Sequence, residues 1–432
     1  MAILIKNVIM PNGEKGAIYI EDNRIEDING EIRKDDFVIN AQDKLIFPAF
    51  YNTHTHLPMS LFRGIAEDLW LKDWLEKVVW PMEKHINEEY VYWGAMLGGL
   101  ELIRSGIAAV ADMYFFMDRV AEVLELLGLR GVLGTTIFEF PSPDAKTPEE
   151  AFKIVEKLVK KYENHELIKP SIAPHSIYSC NPEILQQVKE IADKYELLIQ
   201  IHLSETRWEV YEVQKRYGKR PVELLESIGF LDKNVLAAHA VWLTKGEIRT
   251  LAKYDVKVSH NPVSNLKLAS GGVMPYPEMK EYGVLVTLGT DGVASNNSFD
   301  MFEEMKVFAI SQKNHRWDPT IAKAEEVFKV ATENGAKALG FKAGRIEKGY
   351  LADLMLIDIN SPHLKPLHDP ITLAVYSMRA GDVDGLIVNG KPLMIDKEIL
   401  TVNEEKVMKK AEKKAFELYE KVKSYGGYLN GL

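Results

Sequence analysis

Cysteine is all but missing: one of the 432 residues, Cys180, carries a thiol. An intrachain disulfide is therefore excluded, and with it the disulfide-stapled folds of small secreted modules. The expected compartment is a reducing one, the cytoplasm. A membrane-length apolar run is lacking as well. The longest candidate, residues 91–113, is interrupted by Glu101, Arg104 and several glycines, so it reads as a soluble core element. The first nine residues have no basic leader, long apolar segment or small-residue cleavage site, and read as a strand, not as a signal peptide. Positive charge is in deficit too. With 53 Lys and Arg against 63 Asp and Glu, the formal charge is -10, which excludes a nucleic-acid surface built on general positive charge. What is present is an ordinary globular composition, 46% hydrophobic and 27% charged, in a chain long enough for one large domain and something smaller.

Both ends read as short strands separated by turn residues. Near the start these are residues 3–9, 16–20, 25–28 and 37–39, and similar punctuation returns at 343–349, 353–358 and 385–390. Such strands cannot close a core alone, so segments 1–46 and 344–398 are expected to pair into one small β-sandwich domain. Between them, eight nearly continuous apolar runs alternate with helical patterns: 45–52, 107–113, 131–138, 168–174, 197–202, 235–239, 256–260 and 284–290. Strands buried on both faces give such runs, and eight strand–helix units predict a (β/α)8 TIM-type barrel over 47–343. Asn87 and Asn181 can cap helices, the second with Pro182 at the tolerated first position. Gly94, Gly98 and Gly99 lie at helical spacing and would let a helix approach the barrel closely. The Lys/Glu-rich segment 399–432 reads as a C-terminal helix docked on the body through Val407, Ala411, Phe416 and Leu418.

Polar residues gather where the apolar runs end. His54 and His56 follow the first run in Asn52-Thr-His-Thr-His56, and residues i and i+2 of a strand point to one face, so both imidazoles can meet one metal ion. His175, His202, His239, His260 and Asp291 stand at the ends of later runs. In barrels of this kind the strand C-termini face one cavity, which would gather residues hundreds of positions apart. His54, His56, His202 and Asp291 suit one catalytic divalent ion, Zn²⁺ foremost, with Fe²⁺ or another divalent ion able to use the same donors. Such an ion acidifies a bound water from ~15.7 to about 7. Glu205, three residues after His202, can then carry a proton to a leaving or electron-accepting nitrogen. A two-ion site in such a barrel would want a bridging lysine at the end of the fourth strand. Ala173-Pro-His-Ser176 offers His175 there instead, and Lys169 sits at the other end, so one metal per subunit is expected.

These residues carry a family resemblance. Thr53-His-Thr-His56, Phe62-Arg-Gly64 with Trp74-Leu75 and Trp80-Pro-Met-Glu83, and Ala173-Pro-His-Ser176 belong to it. So do Ile201-His-Leu-Ser-Glu205, His239, Ser259-His-Asn-Pro-Val-Ser-Asn265 and Gly289-Thr-Asp-Gly292 with Ser295-Asn-Asn297. Together they resemble the amidohydrolase superfamily, in the branch of S-adenosylhomocysteine and 5'-methylthioadenosine deaminases. The resemblance implies hydrolytic loss of the 6-amino group of an adenosine derivative, giving the inosine analogue and ammonia. The derivative is 5'-methylthioadenosine, 5'-deoxyadenosine, S-adenosylhomocysteine or adenosine. It further implies metal ligation by His54, His56, His202 and Asp291, with Asp291 also accepting a proton from the attacking water. Glu205 would protonate the purine ring nitrogen, His239 would orient the attacking hydroxide, Glu83 would grip the ribose hydroxyls, and His175 would lie near the sugar and its 5' end.

A departure bears on the substrate. Family members that accept S-adenosylhomocysteine well place arginines near the third strand to pair with the tail carboxylate. Here residues 134–140 carry none, and Arg130 lies at the wrong end of its strand, so apolar 5' groups are at least as well suited. Trp70, Trp74 and Trp80 follow the first strand at roughly helical spacing and read as core. Two rival functions differ in their demands. A guanine, pterin or triazine hydrolase of the same superfamily has no use for a ribose grip at Glu83 and His175. A silent scaffold or binding module has no need of the metal donors, Glu205 and His239 together. The expected partner is a small nucleoside, with no nucleic acid and no membrane, and the chain is expected to form a homo-oligomer.

Overall fold

The computed structural model of the protein describes residues 2–28, 37–65 and 67–424. Eight parallel strands follow one another in sequence order: Phe50–Thr55, Ile107–Tyr114, Arg130–Ile137, Ile168–Pro174, Leu198–Leu203, Val235–His239, Lys257–His260 and Val286–Leu288. The first and eighth meet: the Asp291 N–H donates to the His54 carbonyl at 2.9 Å and the Thr290 N–H to Asn52 Oδ1 at 3.0 Å. The approach at this seam is close enough that a Cβ on Gly289 would lie 2.8 Å from the His54 nitrogen. Inside the barrel, beneath the candidate site, Thr53 Oγ1 bonds Thr287 Oγ1 and Ser259 Oγ, each at 2.7 Å. This small polar layer satisfies its own groups and needs no water.

The apolar run 45–52 is two strands, not one. Lys44–Pro48 pairs antiparallel with Leu354–Asp358, Leu45 opposite Ile357, while the barrel begins only at Phe50. A cut between residues 46 and 47 thus falls inside a strand of the other sheet. That sheet is continuous and mixed, with nine strands drawn from both ends of the chain. Its strands close on a shared cluster that includes Ile3, Ile5, Ile18, Ile20, Leu354 and Ile387. Each such fully buried side chain contributes roughly 1.5–3 kcal/mol relative to exposure. Arg130 links sheet and barrel at the strand N-termini: its Nε donates to Asp353 Oδ2 at 2.8 Å and its Nη2 to Asp353 Oδ1 at 3.2 Å. The position expected for Arg130, away from the catalytic face, is the one observed.

Helix signals acted where expected. Asn87 accepts from the Tyr90 N–H and Asn181 from the Ile184 N–H, both at 3.0 Å. A Cβ on Gly94 would fall 2.2 Å from the Pro58 carbonyl oxygen, so only glycine lets Glu88–Arg104 seat against the segment after the first barrel strand. The C-terminal helix Glu404–Ser424 buries Val407, Ala411 and Leu418 and is tied to Glu88–Arg104 by Arg104 with Glu404 and by Lys414 with Glu89. Phe416 does not join that stripe: it is 63% exposed, because it lies two residues from Leu418 and a helix turns about 200° over two residues. Residues 425–432 of the expected C-terminal segment lie outside the described residues. No helix among the described residues is long and apolar enough to cross a membrane.

Candidate metal centre and active site

Four donors from three places in the chain converge above the barrel. His54 and His56 come from the end of the first strand, His202 from the fifth and Asp291 from just after the eighth. His56 Nε2 lies 3.3 Å from His202 Nε2 and 3.3 Å from Asp291 Oδ1, and His54 Nε2 lies 3.5 Å from the same oxygen. Donor atoms held about 2.0–2.2 Å from one ion stand roughly 3–3.5 Å from their neighbours, so these three spacings suit ligation of one ion.

Backbone contacts decide which nitrogen of each ring is free. His56 Nδ1 bonds the Met113 carbonyl at 2.8 Å, and His202 Nδ1 bonds the His175 carbonyl at 2.7 Å. A carbonyl only accepts, so both rings carry their proton on Nδ1 and aim an Nε2 lone pair at the same point. Two lone pairs at 3.3 Å repel unless a cation lies between them. His54 Nε2, also aimed there, is buried and makes no hydrogen bond among the described residues. The donor set therefore fits a divalent ion. His54, His202 and His239 form a second close trio, yet Asn265 donates from Nδ2 to His239 Nδ1 at 3.0 Å. That contact puts the His239 proton on Nε2, making it a hydrogen-bond donor toward the site and not a ligand. Burial pushes His239 down to about 3, so the ring stays neutral.

The carboxylates are held by a surrounding set of groups. Asp291 Oδ2 accepts from Ser264 Oγ at 2.6 Å and Ser295 Oγ at 3.1 Å, and its Oδ1 accepts from the Gly292 N–H at 2.8 Å. Both Asp291 and His239 have positive φ, 65° and 72°. Non-glycine residues pay roughly 1–3 kcal/mol for such backbone, and this strain collects at functional sites. Glu205 Oε2 lies 3.8 Å from His239 Nε2, so the two groups stand side by side at the site. Burial first, then the Asp291 and Glu209 charges, raise the Glu205 carboxyl well above its usual range, as a proton donor needs. Glu209 fixes that loop by accepting from the Ser204 N–H at 2.7 Å and the Glu205 N–H at 2.8 Å.

Above these groups opens a cleft. Its wall is apolar on the side of Leu71, Trp74, Val79 and Trp80, with Phe115 and Phe138 opposite, and it contains Glu83 and His175. Glu83 is 8% exposed, and burial pushes its carboxyl up to about 7 against the partial opposition of Tyr114 and His56. His175 stacks on Phe138 at 4.8 Å, bonds Ser179 Oγ through Nδ1 at 2.9 Å, and is pushed down to about 3 by burial, then by His56 and His54. Trp74 and Trp80 line this cleft, whereas Trp70 is 73% exposed. All eight residues singled out from the sequence lie together here. His260 lies outside the donor set, edge-on to Phe308, with both ring nitrogens unpartnered among the described residues. Lys169 donates to the Leu339 and Gly340 carbonyls at the opposite end of its strand, away from the donor set.

Several supporting residues escaped the sequence reading. Asn265, Ser264 and Ser295 stood only as parts of motifs, and Glu209, in the first turn of its helix, carried no separate signal. Asp112, fully buried, accepts from the Leu57 N–H at 2.6 Å and Thr55 Oγ1 at 2.8 Å and so pins the histidine pair from below. Its one signal was an acidic residue inside an otherwise apolar strand.

A parallel barrel with imidazoles and a carboxylate converging at its strand C-termini is the layout of metal-centred barrel hydrolases. Residues 45–393 match the model of the Amidohydrolase family, and the chain belongs to that family. It is 47% identical over 414 residues to a 5-methylthioadenosine/S-adenosylhomocysteine deaminase of Aquifex aeolicus, covering 95% of this chain and 96% of the relative. It is 46% identical over 429 residues to a 5'-deoxyadenosine deaminase of Methanocaldococcus jannaschii, covering 98% and 100%. Among solved structures, an adenosine deaminase from Xanthomonas campestris with bound zinc superposes with a TM-score of 0.92 at 31% identity, over 97% of this chain and 98% of the other. An atrazine chlorohydrolase from Arthrobacter aurescens shares the fold, with a TM-score of 0.88 at 21% identity over 96% and 100%.

Proposed function

We propose that this protein is a mononuclear, zinc-dependent hydrolytic deaminase. Its substrate would be an adenosine derivative, 5'-methylthioadenosine, 5'-deoxyadenosine, S-adenosylhomocysteine or adenosine, and its products the inosine analogue and ammonia. The observation that carries this reading is the opposed tautomers: His56 and His202 present lone pairs to one point while His239 presents an N–H beside it. A site that only bound metal would have no use for the reversed ring. The names of the relatives support the reaction and the nucleoside class, and the zinc of the Xanthomonas campestris enzyme supports the metal.

Bound zinc would supply Lewis acidity and a nucleophilic oxygen at neutral pH. His54, His56, His202 and Asp291 would hold it. Asp291 takes a proton from the attacking water, and the His239 Nε2–H orients the oxygen toward purine C6. Glu205 gives its proton to the ring nitrogen as that carbon becomes tetrahedral. The C6–N bond then breaks, with the departing amine taking the proton held by Asp291 to leave as ammonia and the C6 hydroxyl returning its proton to Glu205 as the carbonyl forms. Glu83 accepts from the ribose hydroxyls, and His175 lies along the sugar toward its 5' substituent. The guanine, pterin and triazine alternatives leave a buried carboxyl at Glu83 without a partner on the substrate. Division into a barrel, an end-sheet domain and a docked C-terminal helix belongs to the same proposal. So do cytoplasmic residence, supported by the lone buried thiol of Cys180, and a homo-oligomeric state, which a native-mass measurement would check.

The test is direct. Metal-loaded protein is incubated with the four nucleosides while the change from adenine to hypoxanthine absorbance and the release of ammonia are followed. Turnover of at least one riboside is expected. Loaded protein that leaves all four unchanged overturns the reading.

A further inference from the structure

The second barrel strand, Ile107–Tyr114, ends at the catalytic face in a tyrosine whose polar atom is unused. Tyr114 is 3% exposed, and its hydroxyl has no hydrogen-bond partner among the described residues. The residue is held in place by other means. Its backbone pairs with Thr135 of the third strand, its carbonyl accepts from Thr136 Oγ1 at 3.2 Å, and its ring packs on Phe115 with centroids 4.7 Å apart. On the other side the ring stands 6.5 Å from that of His56. Buried hydroxyls in folded proteins are nearly always bonded, so one left orphaned in the wall of a cleft marks the place of a polar atom that arrives with a ligand. Tyr114 lines the same cleft as Glu83, which reaches it from helix Trp80–Glu83. The two side chains interact: burial first, then the Glu83 charge, raises the phenol well above its usual range, so Tyr114 keeps its proton and remains a donor.

An ionised carboxylate only accepts, whereas a sugar hydroxyl both donates and accepts. A diol that gives its protons to Glu83 therefore leaves its oxygens in want of a donor, and the surrounding wall of Leu71, Val79, Phe115 and Phe138 offers none. We propose that Tyr114 supplies it, donating its O–H to one hydroxyl oxygen of the ribose 2',3'-diol while that same hydroxyl donates to Glu83. The proposal rests on the deaminase reading and adds a sugar specificity to it, ribonucleosides over their deoxy counterparts. Phenol, sugar hydroxyl and carboxylate form one chain of hydrogen bonds in a buried setting, where each bond strengthens the next. A substrate without that hydroxyl strands both the phenol and the carboxylate, which is how a site built to bond a hydroxyl rejects the analogue lacking it.

The experiment measures kcat/KM for 5'-methylthioadenosine and for its 2'-deoxy and 3'-deoxy analogues on metal-loaded wild type and Tyr114→Phe, with thermal melting of both proteins in the absence of substrate. Wild type should prefer the riboside to the deoxy forms by about 100-fold or more. In Tyr114→Phe that preference should shrink about five-fold or more at one of the two positions and stay within about two-fold at the other. The variant should melt no lower than wild type, because the hydroxyl it loses is bonded to nothing in the free protein. Preferences unchanged at both positions overturn the proposal, and so does an equal fall at both, which would place the effect in the seating of Glu83. A variant that melts several degrees lower, or does not fold, overturns it as well by showing the phenol bonded within the protein. Wild type that turns over 5'-methylthioadenosine and its deoxy forms equally well overturns the sugar specificity while sparing the deaminase reading. Wild type inactive on every nucleoside overturns both.

Discussion

Replacing Glu83 by Gln should make the metal-stripped protein more stable and the loaded enzyme worse. The carboxyl has an ordinary value of 4.5 and is pushed up to about 7 by burial in the cleft. Below 4.5 it is protonated whether the chain is folded or not, and stability does not depend on it. Between the two values the folded chain keeps a proton that the unfolded chain has lost, so stability declines as pH rises. Above about 7 the decline is complete, and at roughly 1.4 kcal/mol per tenfold change in proton affinity it amounts to about 3 kcal/mol. Glutamine keeps the volume and removes the charge. The Glu83→Gln protein should therefore match wild type near pH 4 and melt several degrees higher near pH 8.5, with the gap opening through the intervening range. Adding zinc should shrink the gap, since a nearby cation favours the carboxylate. The same substitution should lower kcat/KM for ribosides about 10- to 150-fold through loss of a charged hydrogen bond, and wild-type KM should rise as pH falls below about 7. A variant that is less stable than wild type at pH 8.5, or offset by the same amount at every pH, would refute the reasoning.

Glu205→Gln should retain full metal content and lower kcat by about 10²–10⁴-fold; near-normal turnover would remove Glu205 as the proton carrier. His202→Ala should lose zinc on dialysis, as read by elemental analysis, and unchanged content would refute its place among the ligands. Asn265→Asp offers His239 Nδ1 an acceptor in place of a donor, which turns the Nε2–H into a lone pair. Its kcat should drop at unchanged KM for substrate, with the imidazole nitrogen shifts in NMR reporting the other tautomer. Identical shifts with lost activity would mean that Asn265 acts only through packing.

The barrel and the donor cluster at its strand ends were legible because both follow rules that act on a single chain. Doubly buried strands leave continuous apolar runs, and catalytic groups lie where those runs end, so His54, His56, His202 and Asp291 declared themselves by position. The switch of sheets at Pro48-Ala-Phe50 was not legible, because Lys44–Pro48 and Phe50–Thr55 are both buried strands and produce one unbroken run. Phe416 was misread because charged and apolar residues alternate too closely in that helix for the stripe to be placed by eye. Asn265, Glu209 and Asp112 left no periodic trace. Each matters for one hydrogen bond to a group far away in sequence, and only the folded chain supplies that partner.

The most direct test of a single catalytic ion is a stoichiometric one. Metal-stripped protein is titrated with Zn²⁺ while deamination of the best riboside is recorded at each addition. Activity should rise linearly from zero and break sharply at one equivalent per chain. Full activity before any metal is added, or a break at two equivalents, would contradict the mononuclear site.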